Sequence, residues 1–310
     1  MPELRFDSRV AVITGAGRGL GRAYAELLAS RGAKVVVNDP GSSIKGDGIE
    51  ADPAAEVVQA IKAAGGEAVA CTESVATPAG GKAIIAAALD HYGRIDILIH
   101  NAGIVRGALL EELSYEDFEA VLDVHLRGAF HVVRPAFPLM CKAGYGRMVL
   151  TSSINGIYGN HKALNYSVAK AGTIGLSNVV ALEGAAKGVK SNVILPGAVT
   201  RMAAGLDISA YPPMTPDLVA PVVGWLAHES CSITGEMLAS MAGRVAKAFV
   251  AETPGVYHPK WTIEQVAEDI DAIRDTDHPV IFPPAPSGHI DHLRYSFAMA
   301  RAGGGTSAEK

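Results

Sequence analysis

The stretch TGAGRGLG, Thr14–Gly21, decides the fold, because it joins the apolar run VAVIT to an Ala-rich helical segment. Its four glycines allow a tight turn and a close approach of the backbone to a diphosphate. The N-terminus of the helix that follows offers free N–H groups and a positive dipole to that anion. The spacing is Gly-x-x-x-Gly-x-Gly, since Leu20 occupies the sixth place of the alternative pattern Gly-x-Gly-x-x-Gly. An ordinary glycine-rich turn is the other interpretation, but the strand–loop–helix context favours a dinucleotide site.

Short apolar runs alternate with Ala-rich helical stretches along roughly the first 240 residues. The runs are rich in Val and Ile without polar alternation, which is typical of strands covered on both faces. The predicted strands are Val10–Thr14, Lys34–Asn38, Glu67–Cys71, Asp96–His100, Arg147–Thr151, Ser191–Leu195 and Met237–Ser240. The predicted helices include Leu20–Arg31, Ala54–Ala64, Lys82–His91 and Ala163–Ala186. This order predicts an α/β fold with a doubly wound parallel sheet, the Rossmann fold.

The pattern changes at about Arg244. We therefore expect a single Rossmann domain over residues 1–243 and a C-terminal extension over residues 244–310 that packs on it. Within the extension, Thr262–Arg274 has the pattern of a polar amphipathic helix, and a short helix is expected from Ile290. The last residues, GGGTSAEK, are typical of a disordered tail.

Composition excludes several classes of function. Of the 310 residues, 49% are hydrophobic and 19% are charged, which is typical of a globular protein. The net charge of −5 gives no basic excess for nucleic acid or an anionic membrane. The longest apolar stretch, Ala171–Leu182, is shorter than the roughly 18 residues of a membrane span. We therefore expect neither a nucleic-acid partner nor a membrane partner.

Several features predict a cytoplasmic location. Three scattered cysteines, Cys71, Cys141 and Cys231, favour a reducing compartment. The N-terminal residues MPELRFDSRV lack the apolar core of a secretory signal, and the chain ends in Ala-Glu-Lys, not in the peroxisomal signal Ser-Lys-Leu.

Asp39 ends the second predicted strand, 24 positions after Gly15, close to the roughly 20 expected for an acid that binds an adenosine ribose. A carboxylate there accepts hydrogen bonds from the 2′-hydroxyl and repels a 2′-phosphate. The alternative is a solvated turn aspartate before Pro40. Arg18 in the loop would favour NADP, but no Lys or Arg follows Asp39 directly, so the sequence favours NAD.

Tyr166 and Lys170, in the stretch NYSVAK, are four residues apart and leave the same face of a helix. By itself this spacing is weak, because two surface residues are often neighbours by chance. A tyrosine with a pKa of about 10 is a poor base at neutral pH, but a close ammonium group stabilises its phenolate. In a catalytic pair we expect the pKa of the phenol to fall by roughly two or three units.

Four further motifs follow the glycine-rich stretch in a fixed order. They are NAG at Asn101–Gly103, TSS at Thr151–Ser153, YSVAK at Tyr166–Lys170 and PG at Pro196–Gly197. Together they resemble the short-chain dehydrogenase/reductase family, and the resemblance covers about residues 8–240. It implies an oxidoreductase that acts on a CH–OH group with a nicotinamide cofactor.

The resemblance implies a catalytic set of Ser153, Tyr166, Lys170 and His125. Ser153 is preferred to Ser152, since it lies 13 positions before Tyr166, which is the family spacing. His125 stands where the family usually has an asparagine, whose backbone carbonyl holds a water near the lysine. The backbone of His125 can keep that role, and whether its imidazole titrates is left open.

The implied cofactor contacts extend along the chain. They are Gly15, Arg18, Gly19, Leu20, Gly21, Asp39, Ser74, Val75, Asn101, Ala102, Gly103, Tyr166, Lys170, Pro196, Gly197 and Val199. Thr200 is a doubtful contact, because the position where the family often has threonine is Arg201.

On the substrate side we expect Ser153, and Tyr158 and His161 as pocket residues, with a solvated loop as the alternative for the last two. The stretch PGAVTRMAAGLDISAYPPM, residues 196–214, has the composition of a substrate lid or of a static surface loop. No metal site is expected, since HIDH (His289–His292) has no clustered partner.

Longer stretches, such as VVVNDPG, VHLRGAF and YGRMVLTSSINGIYGN, are similar to the subgroup of (3R)-hydroxyacyl-CoA dehydrogenases found in peroxisomal multifunctional enzymes. A stand-alone, NAD-dependent (3R)-3-hydroxyacyl-CoA dehydrogenase of fatty-acid or steroid side-chain β-oxidation is therefore expected. The alternatives are a dehydrogenase of free secondary alcohols such as 17β-hydroxysteroids, and a non-catalytic NAD-binding protein. A homodimer or homotetramer through the helix Ala163–Ala186 is expected, although core packing explains that helix equally well.

Overall fold

The computed structural model of the chain describes residues 2–48, 52–201 and 211–304. The chain divides into two compact units, one that ends at Lys247 and one that begins at Ala248. The first unit therefore extends four residues beyond the predicted domain end at residue 243.

The first unit is built on one eight-stranded sheet. Its strands are β1 (Val10–Thr14), β2 (Lys34–Asn38), β3 (Glu67–Cys71), β4 (Ile97–His100), β5 (Gly146–Thr151), β6 (Val189–Gly197), β7 (Met237–Met241) and β8 (Arg244–Ala248). They lie in the order β3-β2-β1-β4-β5-β6-β7-β8, and neighbours from β3 to β7 pair in parallel. The predicted doubly wound parallel sheet is confirmed. The seven predicted strands are present with ends that differ by no more than two residues.

Helices fill the connections between these strands. They are α1 (Gly19–Ser30), α2 (Pro53–Ala63), α3 (Pro78–Tyr92), α4 (Tyr115–Leu122), α5 (Gly128–Ala143), α6 (Asn155–Tyr158), α7 (Leu164–Gly184) and α8 (Ala220–Ala227). A π-helical turn, Asp123–Arg127, joins α4 to α5, and 3₁₀ turns lie at Ala185–Lys187 and Pro216–Leu218.

Strand β1 shows why the apolar runs do not alternate. Ala11 and Ile13 pack into one hydrophobic cluster, whereas Val10 and Val12 pack into a second cluster on the opposite face. Successive side chains of a strand point to opposite faces, so both faces of this strand need apolar residues when helices cover both.

Strand β8 is absent from the sequence prediction. A two-residue turn at Ala242 and Gly243, both with positive φ (49° and 80°), joins it to β7. Its sequence RVAKA carries two cations on a mostly exposed edge, so it lacks the continuous apolar run that revealed the other strands.

The second unit contains α9 (Ile263–Glu268), α10 (Ile270–Ile273) and α11 (Ile290–Gly304). The single helix predicted over Thr262–Arg274 is therefore two short helices, which are separated at Asp269. The carboxylate of Asp269 lies 2.7 Å from His258 Nε2. At the start of α9, Thr262 forms a capping box with Gln265. Helix α11 is longer than predicted, and residues 305–310 of the predicted disordered tail lie outside the described residues.

Among the described residues, no helix is long and apolar enough to span a membrane. The described residues likewise contain no group of three or more His, Cys, Asp or Glu side chains placed to hold a metal ion.

Candidate active site

A cleft of about 350 Å³ opens where the carboxyl ends of the central strands meet. This is the edge at which α/β sheets bind ligands. Ten of the predicted cofactor residues line it, namely Gly15, Arg18, Gly19, Leu20, Asp39, Ser74, Val75, Asn101, Ala102 and Gly103. The lining also contains residues that the sequence analysis missed or doubted, among them Asn38, Ser42, Ser43, Gly46, Ile104, Arg106, Asp123, Thr200 and Arg201.

The glycine-rich turn is shaped for close approach. A Cβ atom at Gly15, whose φ is +63°, would lie 2.8 Å from Ala102 Cα, and one at Gly21 would lie 2.1 Å from the Gly15 carbonyl oxygen. Helix α1 begins at Gly19, its N-cap residue Arg18 makes no side-chain cap bond, and its first turn has no acidic residue. The N–H groups of that turn are therefore directed to an anion, as dinucleotide binding needs.

Asp39 stands at the end of β2 and faces this turn. Its Oδ2 accepts a hydrogen bond from the Gly17 backbone N–H at 3.0 Å, and its Oδ1 accepts one from Gly41 at 2.9 Å. Each oxygen keeps a second lone pair, so the carboxylate is held in place and remains able to accept from ribose hydroxyls.

Thr14 fixes the loop after β4 against the glycine-rich turn. Its hydroxyl accepts the backbone N–H groups of Asn101 (3.1 Å) and Ala102 (3.2 Å), and it lies 3.0 Å from His100 Nδ1. Asn101 also donates its side-chain amide to the Gly15 carbonyl at 3.1 Å. The second nitrogen of His100 lies 3.3 Å from the backbone carbonyl of His125.

The predicted catalytic side chains converge at the start of α7. Lys170 is buried and its Nζ lies 5.5 Å from the centre of the Tyr166 ring. The same ammonium donates to the Thr151 carbonyl at 2.5 Å. Ser153 is buried just after β5, and its hydroxyl is close enough to the Tyr166 phenol to oppose a rise in the pKa of that phenol.

The neighbouring Ser152 has a different task. Its hydroxyl donates to the Lys170 backbone carbonyl at 2.7 Å, whereas Ser153 Oγ accepts the Asn155 N–H at 3.1 Å. Ser152 thus ties β5 to α7, and Ser153 is the serine beside the phenol.

The expected fall in the pKa of Tyr166 is wrong for these side chains by themselves. Burial raises the pKa of Tyr166, and the hydrogen bond with Ser153 opposes that rise without reversing it. Burial also lowers the pKa of Lys170 to about 7, because its charge is removed from water. Burial thus disfavours the charged form of both side chains.

His125 lies in the π-helical turn and is buried against the phenol. Its ring meets the Tyr166 ring edge-on, with 5.2 Å between centroids. Nε2 lies 2.8 Å from the Ile104 carbonyl oxygen and 3.0 Å from the Ile104 nitrogen, and Nδ1 has no hydrogen-bond partner among the described residues. Burial holds the pKa of His125 well below its usual value, so the imidazole stays neutral at physiological pH.

The predicted substrate residues Tyr158 and His161 lie at the protein surface. Tyr158 is 81% exposed, His161 is exposed, and neither is among the described residues that line the cleft. Their contact with substrate stays a prediction. Pro196 and Gly197 end β6, and Val199 donates its N–H to the Met214 carbonyl at 2.6 Å.

The remaining surroundings of the site are the predicted lid and a buried asparagine that the sequence analysis did not name. Residues 202–210 of the predicted lid lie outside the described residues. Asn165, directly before Tyr166, is buried and donates its amide to the carbonyls of Arg106 (2.7 Å) and Asp117 (3.1 Å). Its position next to Tyr166 was the one sequence signal that it matters to the site. Its partners could not be predicted from the sequence, because they lie 59 and 48 residues away.

Comparison with known proteins agrees with this geometry. The family model described as short chain dehydrogenase matches residues 9–208. The chain is 49% identical over 255 residues to peroxisomal multifunctional enzyme type 2 of Drosophila melanogaster, covering 82% of this chain and 42% of that protein. It is 42% identical over 255 residues to a short-chain type dehydrogenase/reductase of Mycobacterium tuberculosis, covering 82% and 89%.

Among solved structures, the full-length fly enzyme superposes with a TM-score of 0.79 at 39% identity, covering 96% of this chain and 50% of that one. The chain thus spans half or less of the length of this relative.

Proposed function

This chain belongs to the short-chain dehydrogenase/reductase family of oxidoreductases that act on CH–OH groups, and from that premise we propose that it oxidises (3R)-3-hydroxyacyl-CoA to 3-oxoacyl-CoA with NAD. The observation that carries the proposal is the group of Ser153, Tyr166 and Lys170, in which Ser153 and Lys170 are buried, together with the cleft that Asp39 lines. The resemblance of the longer stretches to (3R)-hydroxyacyl-CoA dehydrogenases, together with the 49% identity to a peroxisomal multifunctional enzyme, supports the acyl-CoA substrate.

The cleft fits a nicotinamide dinucleotide. The close approaches at Gly15 and Gly21 leave space only for backbone, and the first turn of α1 offers N–H groups to a diphosphate. Asp39 supports NAD over NADP, because its oriented carboxylate accepts from a 2′-hydroxyl and repels a 2′-phosphate. Asn101 lines the cleft, and Lys170 would hold the nicotinamide ribose.

When bound, the oxidised cofactor supplies the hydride acceptor and a positive charge near the phenol. Tyr166, once deprotonated to the phenolate, takes the hydroxyl proton of the substrate on its Oη, while Ser153 holds the substrate oxygen. Lys170 donates to the Thr151 carbonyl and is buried, so its ammonium is held in one position near the phenol ring. Because the pKa of Tyr166 is raised by burial, the phenol is a base only when positive charge is added beside it.

His125 has a positioning task in this proposal. Its neutral ring packs edge-on against Tyr166, and its backbone carbonyl oxygen lies 3.3 Å from His100 Nε2, within hydrogen-bond distance. The imidazole is therefore proposed to orient the phenol and not to transfer protons.

We also propose self-association in the cytoplasm. Val168 and Val179 on α7 are 40% and 51% exposed, and Phe130 on α5 is 50% exposed. Exposed apolar side chains on two helices of one sheet face support a dimer or tetramer.

The test is NADH formation by the purified protein with (3R)-3-hydroxyacyl-CoA, with the (3S) isomer, NADP and a free 17β-hydroxysteroid as matched arms. Preference for the (3R) thioester with NAD is the expected result. Turnover of the free steroid alone would overturn the acyl-CoA assignment while leaving the oxidoreductase chemistry in place. No turnover of either alcohol with either cofactor would overturn the proposed function.

A further inference from the structure

The segment Gly41–Gly48, here called the β2 strap, continues from Asp39 and lines the cleft with Ser42, Ser43 and Gly46. It is folded on itself, since Ser43 Oγ accepts the backbone N–H groups of Lys45 and Asp47, both at 3.2 Å. Gly46 has a φ of +86°, which a glycine adopts without strain. The strap therefore has a defined shape of its own.

The strap is bonded to the loop that follows β4, on the cleft wall. Ile44 accepts the backbone N–H of Val105 at 2.9 Å. Arg106 donates its Nε to the Lys45 carbonyl at 2.7 Å and pairs through a second nitrogen with Asp47 at 2.7 Å. One arginine thus makes two of the three bonds named here between the strap and that loop.

The same arginine also reaches the catalytic helix. Its remaining terminal nitrogen pairs with Asp117 at 3.1 Å, and its backbone carbonyl accepts the buried Asn165 amide at 2.7 Å. Asn165 Oδ1 in turn accepts the backbone N–H of Tyr166 at 2.8 Å. The guanidinium is 21% exposed, whereas Asp47 and Asp117 are 69% and 42% exposed, so the cation is the sheltered centre of this group.

We infer that Arg106 is a positioning residue that latches the β2 strap over the dinucleotide cleft and connects it to the turn before Tyr166. Both the strap and Arg106 line the cleft, so the bonds between them close its wall. A dinucleotide in the cleft lies behind that wall, and it leaves more slowly while the latch holds. The inference rests on the cleft's binding of a dinucleotide and does not depend on which alcohol is oxidised.

The experiment measures NADH binding by fluorescence titration and release by stopped flow, with kcat and Tm beside them. For Arg106→Leu we expect the dissociation constant to rise about tenfold through faster release, because an ion pair and a hydrogen bond to the strap are both lost. Arg106→Lys should restore only part of the affinity, because an ammonium lacks the fork that reaches three acceptors.

Asp47→Asn is the mild variant, because it changes an exposed carboxylate and leaves the protein folded. It should raise the dissociation constant about threefold, the size of one exposed ion pair. Arg5→Leu is the matched control, since Arg5 also pairs with two carboxylates, Glu3 and Asp7, and does not line the cleft.

Equal NADH affinity and release in wild type, Arg106→Leu and Asp47→Asn would overturn the inference while the proposed function stands. A loss in Arg106→Leu that appears only as a lower Tm, matched by Arg5→Leu, would also overturn it, since that is a merely structural role. Failure of the wild-type protein to bind NADH or NADPH would overturn both proposals.

Discussion

A cationic side chain is buried at each end of the sheet, and the two differ in how many hydrogen bonds they donate. At the carboxyl end, Lys170 is 2% exposed and donates to the Thr151 carbonyl. At the amino end, Arg147 is 6% exposed and its guanidinium lies 4.5 Å from the Tyr145 ring centre. Arg147 donates to the carbonyls of Gly146, Gly188, His228 and Glu229. Among the described residues, the Arg147 guanidinium thus donates four hydrogen bonds, whereas the Lys170 ammonium donates one.

A buried, paired carboxylate also distinguishes the surroundings of the two cations. Asp96, 1% exposed, accepts from the Val10 N–H and pairs with Arg94 and Arg9. Near Lys170, His125 Nδ1 and Thr151 Oγ1 are buried with no partner among the described residues. Tyr145 Oη, beside Arg147, is likewise buried without a partner among the described residues, so unpaired polar atoms occur at both ends and the paired carboxylate occurs at the amino end. The comparison assigns stability to the amino end and chemistry to the carboxyl end.

The largest effect is expected from Tyr166→Phe, which removes the proton acceptor. It should lower kcat roughly 10³-fold, the scale of a lost general base, with NADH affinity nearly unchanged. Tyr145→Phe is the matched control at the amino end, because its buried hydroxyl also lacks a partner among the described residues. Steady-state kinetics of both variants check this, and near-normal turnover in Tyr166→Phe would reject the catalytic assignment.

Next in size is the pH dependence that Lys170 gives to stability. Its folded pKa of about 7 lies below the ordinary 10.5, so the unfolded chain binds more protons between these values and stability rises with pH. The gain is about 2.5 kcal/mol from pH 7 to pH 9, at about 1.4 kcal/mol per unit. Urea unfolding of wild type and Lys170→Met should differ by this slope. Lys62→Met, on the exposed face of α2, should keep the wild-type slope. The same slope in Lys170→Met and wild type would contradict the prediction.

At the amino end, Asp96→Asn should lower the free energy of unfolding by about 2 kcal/mol. This is below the 3–5 kcal/mol of a fully buried pair, because Arg9 and Arg94 are 24% and 49% exposed. The kcat of the folded fraction should not change. Asp90→Asn, on the exposed side of α3, is the control. A loss of kcat without a loss of stability would break the division between the two ends.

The smallest expected effect is on stability in acid. Burial lowers the pKa of His100 to about 3, whereas the ordinary pKa in an unfolded chain is 6.5. The unfolded chain therefore binds the proton first, and the free energy of unfolding falls as pH falls from 6.5 towards 3. Between pH 6.5 and pH 5.5, His100→Asn should lose about 1 kcal/mol less unfolding free energy than wild type. His125, whose pKa is also lowered by burial, should cause a similar loss in both proteins. His91→Asn, an exposed residue of α3, should leave the acid slope of the unfolding free energy as in wild type. An unchanged acid slope in His100→Asn would show that its burial does not set the acid limit.

Much of the fold was predictable because its signals are local. The glycine-rich stretch and the apolar runs each specify one element, and their order specifies the sheet. The group of Ser153, Tyr166 and Lys170 was predictable because its spacing lies within one strand–helix unit.

Other features depend on contacts between distant residues and were missed. Arg106 meets Asp47 and Asn165 across 59 residues in each direction, and no short motif records such a meeting. The pKa of Tyr166 was predicted in the wrong direction for a related reason. A helical spacing gives the proximity of Lys170 but not the burial that disfavours both charges.

The hydroxyl of Thr14 has a consequence for spectroscopy. Two backbone N–H groups donate to this oxygen, so its one proton is directed to His100 Nδ1. Nδ1 is then the bare nitrogen, Nε2 carries the hydrogen, and that hydrogen points at the His125 carbonyl. A threonine proton thus selects the tautomer of a buried histidine. The ¹⁵N chemical shifts of His100 therefore report, from inside the protein, whether the glycine-rich turn, β4 and the π-helical turn are all in place.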